Sequence, residues 1–284
     1  MTKTFQEITA ADNSTLMIVD SLNLAFRYKH SGAVDFAEDY MRTVESLKKS
    51  YKADKLIIAG DVGSSSYRKE LYPEYKQNRK DKYADQTEQE KREFEIFFEE
   101  VQSILTDYEN QEKYPVIRFR GVEADDIAAY IVSKRKKHNL KQIWLISSDK
   151  DWDLLVQPEV SRFSYVTRKE ITHDNWNEHY DFSQDEYISI KCLTGDTGDN
   201  VPGVPGVGPK RALQLVQQYG STYDIIAALP IASKYKYIAA LNEFGVDNLL
   251  LNYKLMDLVT HSEEALGVEN CKIVDKILEK YINE

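Results

Sequence analysis

The chain spells out an α/β architecture, a central, mainly parallel sheet flanked by helices, and two observations lead there. Short apolar runs stop abruptly at an aspartate, as buried parallel strands do at their carboxyl ends. Helical spacings fill the stretches between those runs, the alternation that builds a parallel sheet covered on both faces. A third observation divides the chain: from residue 187 onward the strand-like runs cease, and helical segments follow with a Gly/Pro-rich loop between them. The expected organisation is a loose arm over residues 1–14, an α/β core over 15–186 and a helical region over 187–284.

Residues 16–19 are apolar and run into Asp20. Residues 55–59, with Leu-Ile-Ile at their heart, lead to Gly60 and Asp61. Residues 143–146, Ile-Trp-Leu-Ile, lead to Ser147, Ser148 and Asp149. Residues 114–119 and 160–166 are further strand candidates. Residues 36–51 place apolar side chains at 36, 37, 40, 41, 44 and 47, close to helical spacing. A second helix over 124–132 continues into the basic stretch 134–138, whose charge suits a helix C-terminus. Residues 67–100 break the pattern with dense charge of both signs and few apolar residues before Phe94. An inert loop of that length is unusual in a compact domain, and long insertions tend to carry function. Helix-like 187–193 precedes the Gly/Pro-rich stretch 194–210. An amphipathic helix over 211–219 then stops at Gly220.

The 284 residues, 42% hydrophobic and 30% charged, suffice for a sizeable core. A net charge of −10 argues against a general nucleic-acid binder. Nine of those negative charges, however, belong to acids that recur at element boundaries. These are Asp20, Asp61, the trio Glu123, Asp125 and Asp126, the pair Asp149 and Asp151, and the pair Asp196 and Asp199. Asp20, Asp61 and Asp149 share the carboxyl edge of the expected sheet, where sites in open parallel sheets form. Gathered there, so many carboxylates stay ionised only with cations among them. Oxygen-rich clusters hold hard divalent ions, and paired ions cut phosphodiesters. Asp153, just after Trp152, is expected at the surface or supporting the cluster from behind.

Two cysteines, Cys192 and Cys271, are too few for a disulfide framework and have no partner at zinc spacing. A buried free thiol at Cys192 and a reducing, intracellular setting are expected. Residues 1–14 lack the apolar core of a signal peptide, and no apolar run reaches the length of a membrane span.

The run Gly203-Val-Pro-Gly206-Val-Gly208-Pro-Lys210 combines glycines that admit a phosphate to the backbone with a helix start that attracts it. It resembles a helix–hairpin–helix clamp, which grips duplex DNA by phosphate. The stretch Tyr72-Pro-Glu-Tyr75-Lys76-Gln-Asn-Arg79 sets aromatics beside cations, a pairing that suits single strands. Arg27, Lys29 and His30 follow the first acidic strand and could face phosphates. The stripe from Lys234 through Lys236 to Tyr237 is either a second phosphate contact or amphipathic surface.

Taken in order, Met-Ile-Val-Asp20, Ala-Gly-Asp61, Pro-Glu-Tyr-Lys76-Gln-Asn-Arg79, Gly-Val-Glu123-Ala-Asp-Asp126, Ile-Ser-Ser-Asp-Lys-Asp151, Gly-Asp-Thr-Gly-Asp-Asn200 and Gly-Val-Gly-Pro-Lys210 resemble the structure-specific 5′-nuclease family. These are the flap endonucleases and 5′–3′ exonucleases, and the length is closest to the short free-standing phage enzymes. The resemblance spans about residues 15 to 240. It implies Mg²⁺ ligands at all nine acids, with Mn²⁺ as a substitute. It turns the charged insertion, about 70–100, into a helical arch that passes a 5′ single strand. It places Lys76 and Arg79 on the scissile phosphate, Tyr75 stacked nearby, and Lys191 on the duplex. It places the hairpin on duplex DNA, with potassium on its carbonyls in some relatives.

The expected activity is hydrolysis at 5′ flaps and 5′ ends, leaving a 5′-phosphate and a 3′-hydroxyl. One ion would lie among Asp20, Asp61, Glu123 and Asp125, the other near Asp149, Asp151, Asp196 and Asp199. The expected partner is DNA with a 5′ flap, bound by a monomer in the cytoplasm of a bacterial host. Two competing readings are a single-strand RNase of related acidic α/β type and a non-catalytic junction-binding protein. The first would lack the hairpin and arch; the second would lose acids.

Overall fold

A computed structural model of the chain describes residues 15–33 and 35–283; the arm expected over 1–14 lies outside them. In order come β1 (Thr15–Asp20), α1 (Ser21–His30), α2 (Ala37–Ser50), β2 (Lys55–Val62), α3 (Ser66–Leu71), α4 (Gln77–Ala84), α5 (Glu88–Gln111), β3 (Val116–Arg120), α6 (Ala124–Ser133), β4 (Gln142–Ile146), β5 (Val160–Ser164) and β6 (Lys169–Ile171). Then follow α7 (Gln184–Thr194), α8 (Pro209–Tyr219), α9 (Thr222–Ala228), α10 (Lys236–Met256), α11 (Leu258–Leu266) and α12 (Val268–Asn283). Short 3₁₀ helices occupy Lys150–Leu155 and Trp176–Glu178.

The sheet runs β3-β2-β1-β4-β5-β6. All pairings are parallel except that of β6, which turns back against β5. Asp20 is in register with Ala59, and Val19 with Ile146. Asp20, Asp61 and Asp149 therefore leave the sheet at one edge. Alternation along β1 sends Leu16 and Ile18 to a core shared with α6, and Met17 and Val19 to a core shared with α1, α2 and α5. Both faces are apolar, so the strands read as continuous hydrophobic runs.

The charged insertion is helical. Thr87 starts α5 with a capping box closed by Glu90. Helix α5 buries Phe97, Val101, Ile104, Leu105 and Tyr108 against the core. Tyr83 of α4 meets Phe94 of α5 edge on, and Phe94 in turn packs against Phe26 of α1. The basic stretch after α6 does not prolong that helix. Ser133 ends it, and residues 134–139 form turns with Asn139 at φ 54°.

The helical C-terminal segment makes two attachments. Residues of α7, α8, α9 and α10 share a core around Leu193, Val204, Val207 and Leu241. Leu258, Leu266, Val274, Leu278 and Ile282 instead return to the α/β core. The Tyr281 hydroxyl accepts a hydrogen bond from Leu56 N at 3.2 Å. Helical periodicity alone does not say which core a helix joins, so the sequence left this open.

Candidate active site

Each acid is held by local chemistry at the sheet edge. Asp20 caps α1, accepting from Asn23 N at 3.1 Å and from the Ser147 hydroxyl at 2.8 Å. Asp61 accepts from Ala124 N at 2.7 Å, which ties β2 to the start of α6. Asp149 caps the 3₁₀ turn through Asp151 N at 2.9 Å. Asp125 accepts from Trp152 Nε1 at 2.6 Å. Asp196 accepts from Gly198 N and Asp199 N, which closes its turn.

Six of the acids, Asp20, Asp61, Glu123, Asp125, Asp149 and Asp199, line one open cleft of about 640 Å³ together with Lys76 and Arg79. Asp125 and Asp199 also line a narrower pocket behind it with Asp151 and Asp196. The electrostatics are those of crowded like charges. Burial, then Asp61, pushes the Asp20 carboxyl up to about 8. Burial raises Asp61 to about 6, aided by Glu123. Burial, Asp149 and Asp20 hold Asp125 well above the usual range. Burial would raise Glu123 too, but Lys76 and Arg68 hold it below the ordinary value.

The chain's own cations answer part of this charge. Lys76 Nζ is 2.7 Å from Glu123 and 3.7 Å from Asp199. Arg79 pairs with Asp199. Lys191 bridges Asp151 and Asp196. With basic side chains drawn in, no group of three or more His, Cys, Asp or Glu among the described residues is disposed to close on a metal ion. The donor set nevertheless fits hard divalent cations. It is all oxygen, it converges on one cleft, and among the described residues Asp20, Asp61, Asp125 and Asp149 make no lysine or arginine ion pair at contact distance.

Four expected residues stand elsewhere than their roles require. Asp126 lines neither pocket; it is 0% exposed, and both its oxygens lie in the Arg68 fork at 2.7 and 2.8 Å. Arg68 also reaches Glu123 at 3.2 Å and Leu255 O at 2.8 Å, so Asp126 serves a buried brace. Tyr75, 3% exposed, has no open ring face for stacking on a base. Its hydroxyl lies 3.0 Å from Glu123 and 2.8 Å from Asp199, with one proton to share. Lys191, 9% exposed, points into the acids rather than toward a duplex. Arg27 lies over the Tyr165 ring at 4.3 Å, in a separate cleft with Arg42 and Arg168. Asp153 is fully buried, bound by Arg162 at 2.8 Å and by the Tyr180 hydroxyl.

The hairpin over 203–208 joins α7 to α8 as expected. Val204 N bonds Leu193 O at 2.8 Å, and Val204 and Val207 are buried beneath it. Gly195 has φ 66°, and a Cβ there would sit 2.3 Å from Gly203 N. A Cβ on Gly203 would sit 2.0 Å from Thr194 O. Only glycines let the acidic turn and the hairpin touch backbone to backbone. Lys210, Lys234 and Lys236 are exposed. The 234–237 stripe comes up to the hairpin, since a Cβ on Gly206 would be 3.9 Å from Tyr237.

Comparison with known proteins agrees with this geometry. Residues 15–181 match the model of the 5′–3′ exonuclease N-terminal resolvase-like domain, and residues 182–277 that of the 5′–3′ exonuclease C-terminal SAM fold. The chain belongs to the 5′–3′ exonuclease family. Within it, the chain is 42% identical to the flap endonuclease of Escherichia phage T5, over 95% of this chain and 92% of that protein. The 5′–3′ exonuclease of Aquifex aeolicus is 27% identical over 82% of this chain and 75% of its own length. Bacillus subtilis DNA polymerase I is 28% identical over 90% of this chain, which spans only 29% of that longer protein. Among solved structures, the phage T5 flap endonuclease with DNA and metal ions superposes at TM-score 0.89 and 41% identity, covering 95% of this chain and all of that one. The phage T5 5′-exonuclease with zinc bound superposes at TM-score 0.88 and 41% identity, covering 94% and 99%.

Several functional side chains of this 5′–3′ exonuclease family member escaped the sequence reading. Arg68 sits in the charged insertion like any surface arginine, and no spacing marks it as the partner of Asp126. Asn23 carries a signal in hindsight: three residues past Asp20 it caps nothing, yet it accepts from Ser148 N at 2.8 Å and fixes the Asp149 loop. Arg211 donates to Gly206 O at 2.6 Å and lies over Tyr237.

Proposed function

We propose that this chain is a structure-specific 5′-nuclease that hydrolyses DNA phosphodiesters at 5′ flaps and 5′ ends, using Mg²⁺, with Mn²⁺ as a substitute. The observation that carries this reading is the single open cleft in which six carboxylates face Lys76 and Arg79. The phage T5 relative bound to DNA and metal ions supports it.

Asp20, Asp61, Asp125 and Asp149, which share the open cleft, would hold one ion. Asp149 thus moves from the second expected ion to the first, and Glu123, paired with Arg68 and Lys76, leaves it. Asp151, Asp196 and Asp199 would offer a second place behind. Divalent cations held there would supply a more acidic water as nucleophile and positive charge to offset the leaving oxygen. The chain's residues do the rest. Ser147, Asn23 and Trp152 orient the ligand carboxylates. Lys76 and Arg79, both facing the cleft, exchange carboxylates for the scissile phosphate and stabilise the charge that grows on it. Lys76 is set for this by a left-handed backbone, φ 56°, pinned through its N–H to Asp199 O at 2.8 Å. Lys80 and Tyr83 extend the wall of the cleft along α4. We assign the passage of the single strand to the helical insertion that α4 and α5 form above the cleft. Amides at the start of α8, with Lys210, take duplex phosphates. Potassium on the hairpin carbonyls would share Gly206 O with Arg211. Few side chains in the cleft suit base edges, so selection is by DNA shape. The products are a 5′-phosphate and a 3′-hydroxyl.

The test is incubation with Mg²⁺ and a labelled 5′-flap duplex, beside single-stranded RNA and an EDTA control. Flap cleavage that EDTA abolishes is expected. Cleavage of RNA alone, or binding without cleavage, overturns the reading.

A further inference from the structure

We propose that Lys191 is an internal competitor for the second divalent cation: its ammonium fills the Asp151–Asp196 end of the acid cluster and must withdraw before an ion takes both carboxylates. This rests on the metal-dependent reading above and adds to it an asymmetry between the two ends of the cluster.

The placement is specific. Lys191 lies on α7, one helical turn before the acidic loop, and Gly195 N bonds its carbonyl at 2.8 Å. Its ammonium contacts Asp151 and is 3.3 Å from Asp196. Asp151 arrives from the 3₁₀ turn after β4 and Asp196 from the turn after α7, so the lysine bridges two parts of the chain. Lys191 does not line the open cleft, whereas Lys76 and Arg79 do. From its position it binds carboxylates and lies outside the cleft to which we assign the phosphate. The other end of the cluster is different. Asp20, Asp61, Asp125 and Asp149 are hydrogen-bonded only to backbone amides, a hydroxyl and an indole.

An ammonium and a divalent ion need the same carboxylate lone pairs and repel each other at contact distance. The unpaired end therefore takes its ion first, and the end held by Lys191 takes the second ion more weakly. Coupling the second ion to lysine withdrawal keeps the cluster compact and partly neutral until metal is abundant.

The experiment is a Mn²⁺ titration of metal-free protein without DNA, reading free Mn²⁺ by electron paramagnetic resonance. Two classes of site are expected in the unaltered chain. Lys191→Met should tighten the weaker class by about tenfold, a modest share of a unit-charge repulsion at an effective dielectric of about 20, and leave the tighter class unchanged. Lys191→Arg, which keeps the charge, should leave both unchanged. A weaker class that is unchanged or loosened in Lys191→Met overturns the inference and leaves the nuclease reading standing. Absence of any bound Mn²⁺ in the unaltered chain removes both. Should Lys191→Met fail to fold, ¹³C-lysine-labelled unaltered protein gives the same decision. The Lys191 Cε resonance should move with the second equivalent of Mg²⁺ and not the first; no movement overturns the proposal.

Discussion

Asp149 and Lys76 face one cleft with opposite charge, and their removal should fail in different ways. Asp149→Asn keeps shape but gives up a metal-binding charge. Turnover on a flap duplex should fall about a hundredfold or more, the upper range for disturbed metal sites, while Kd for DNA changes little. Equal loss of both would remove Asp149 from the ligand set. Lys76→Ala takes away a donor aimed at the phosphate. Single-turnover cleavage should slow by about a hundredfold, the scale of one lost oxyanion-type donor. Near-normal turnover would mean that Lys76 serves Glu123 alone. Lys210→Ala, exposed in the first turn of α8, should spare turnover at saturation and lower the salt slope of duplex binding by about one. An unchanged slope would detach Lys210 from the phosphate.

The elements were legible to the extent that their signals are local. Apolar runs ending in Asp20, Asp61 and Asp149 revealed three strands and the edge where they meet, because a buried parallel strand is apolar on both faces. The hairpin was legible because a phosphate-binding helix start has a composition of its own. The charged insertion read from its own residues only as an anomaly, and its helical arch came from the family resemblance. Its long helix α5 is marked by the capping residues Thr87 and Glu90, whereas α4 starts after Lys76 with no side-chain cap to signal it. Pairings across long sequence distances were not legible. Nothing near Arg68 names Asp126, and nothing near Lys191 names Asp151, because a charge alone does not tell a buried brace from a solvated surface. At this scale Gly203→Ala is the sharpest test. Its methyl would collide with Thr194 O, so it should displace the hairpin, weaken duplex binding and lower Tm. Unaltered binding would show that hairpin and acidic turn adjust independently.

For the whole molecule, the acid cluster links stability to both pH and metal. Asp20 and Asp61 carry raised values in the folded chain, about 8 and about 6 against 3.8. Folding therefore retains protons that the unfolded chain has released. The stability tied to these protons is full below about 4 and is lost as pH rises toward 8. Metal-free protein should melt at lower temperature at pH 8 than at pH 5, and saturating Mg²⁺ should narrow the gap; a flat or rising profile in EDTA would contradict the crowding. The backbone contact of Gly195 with Gly203 has a mechanical consequence. With the hairpin fixed to the acidic turn, a duplex held at the hairpin as proposed would be measured from that point as by a caliper. Incision should fall a set number of base pairs from the held segment whatever the length of the overhang, and one residue inserted between hairpin and acidic turn should shift the cut.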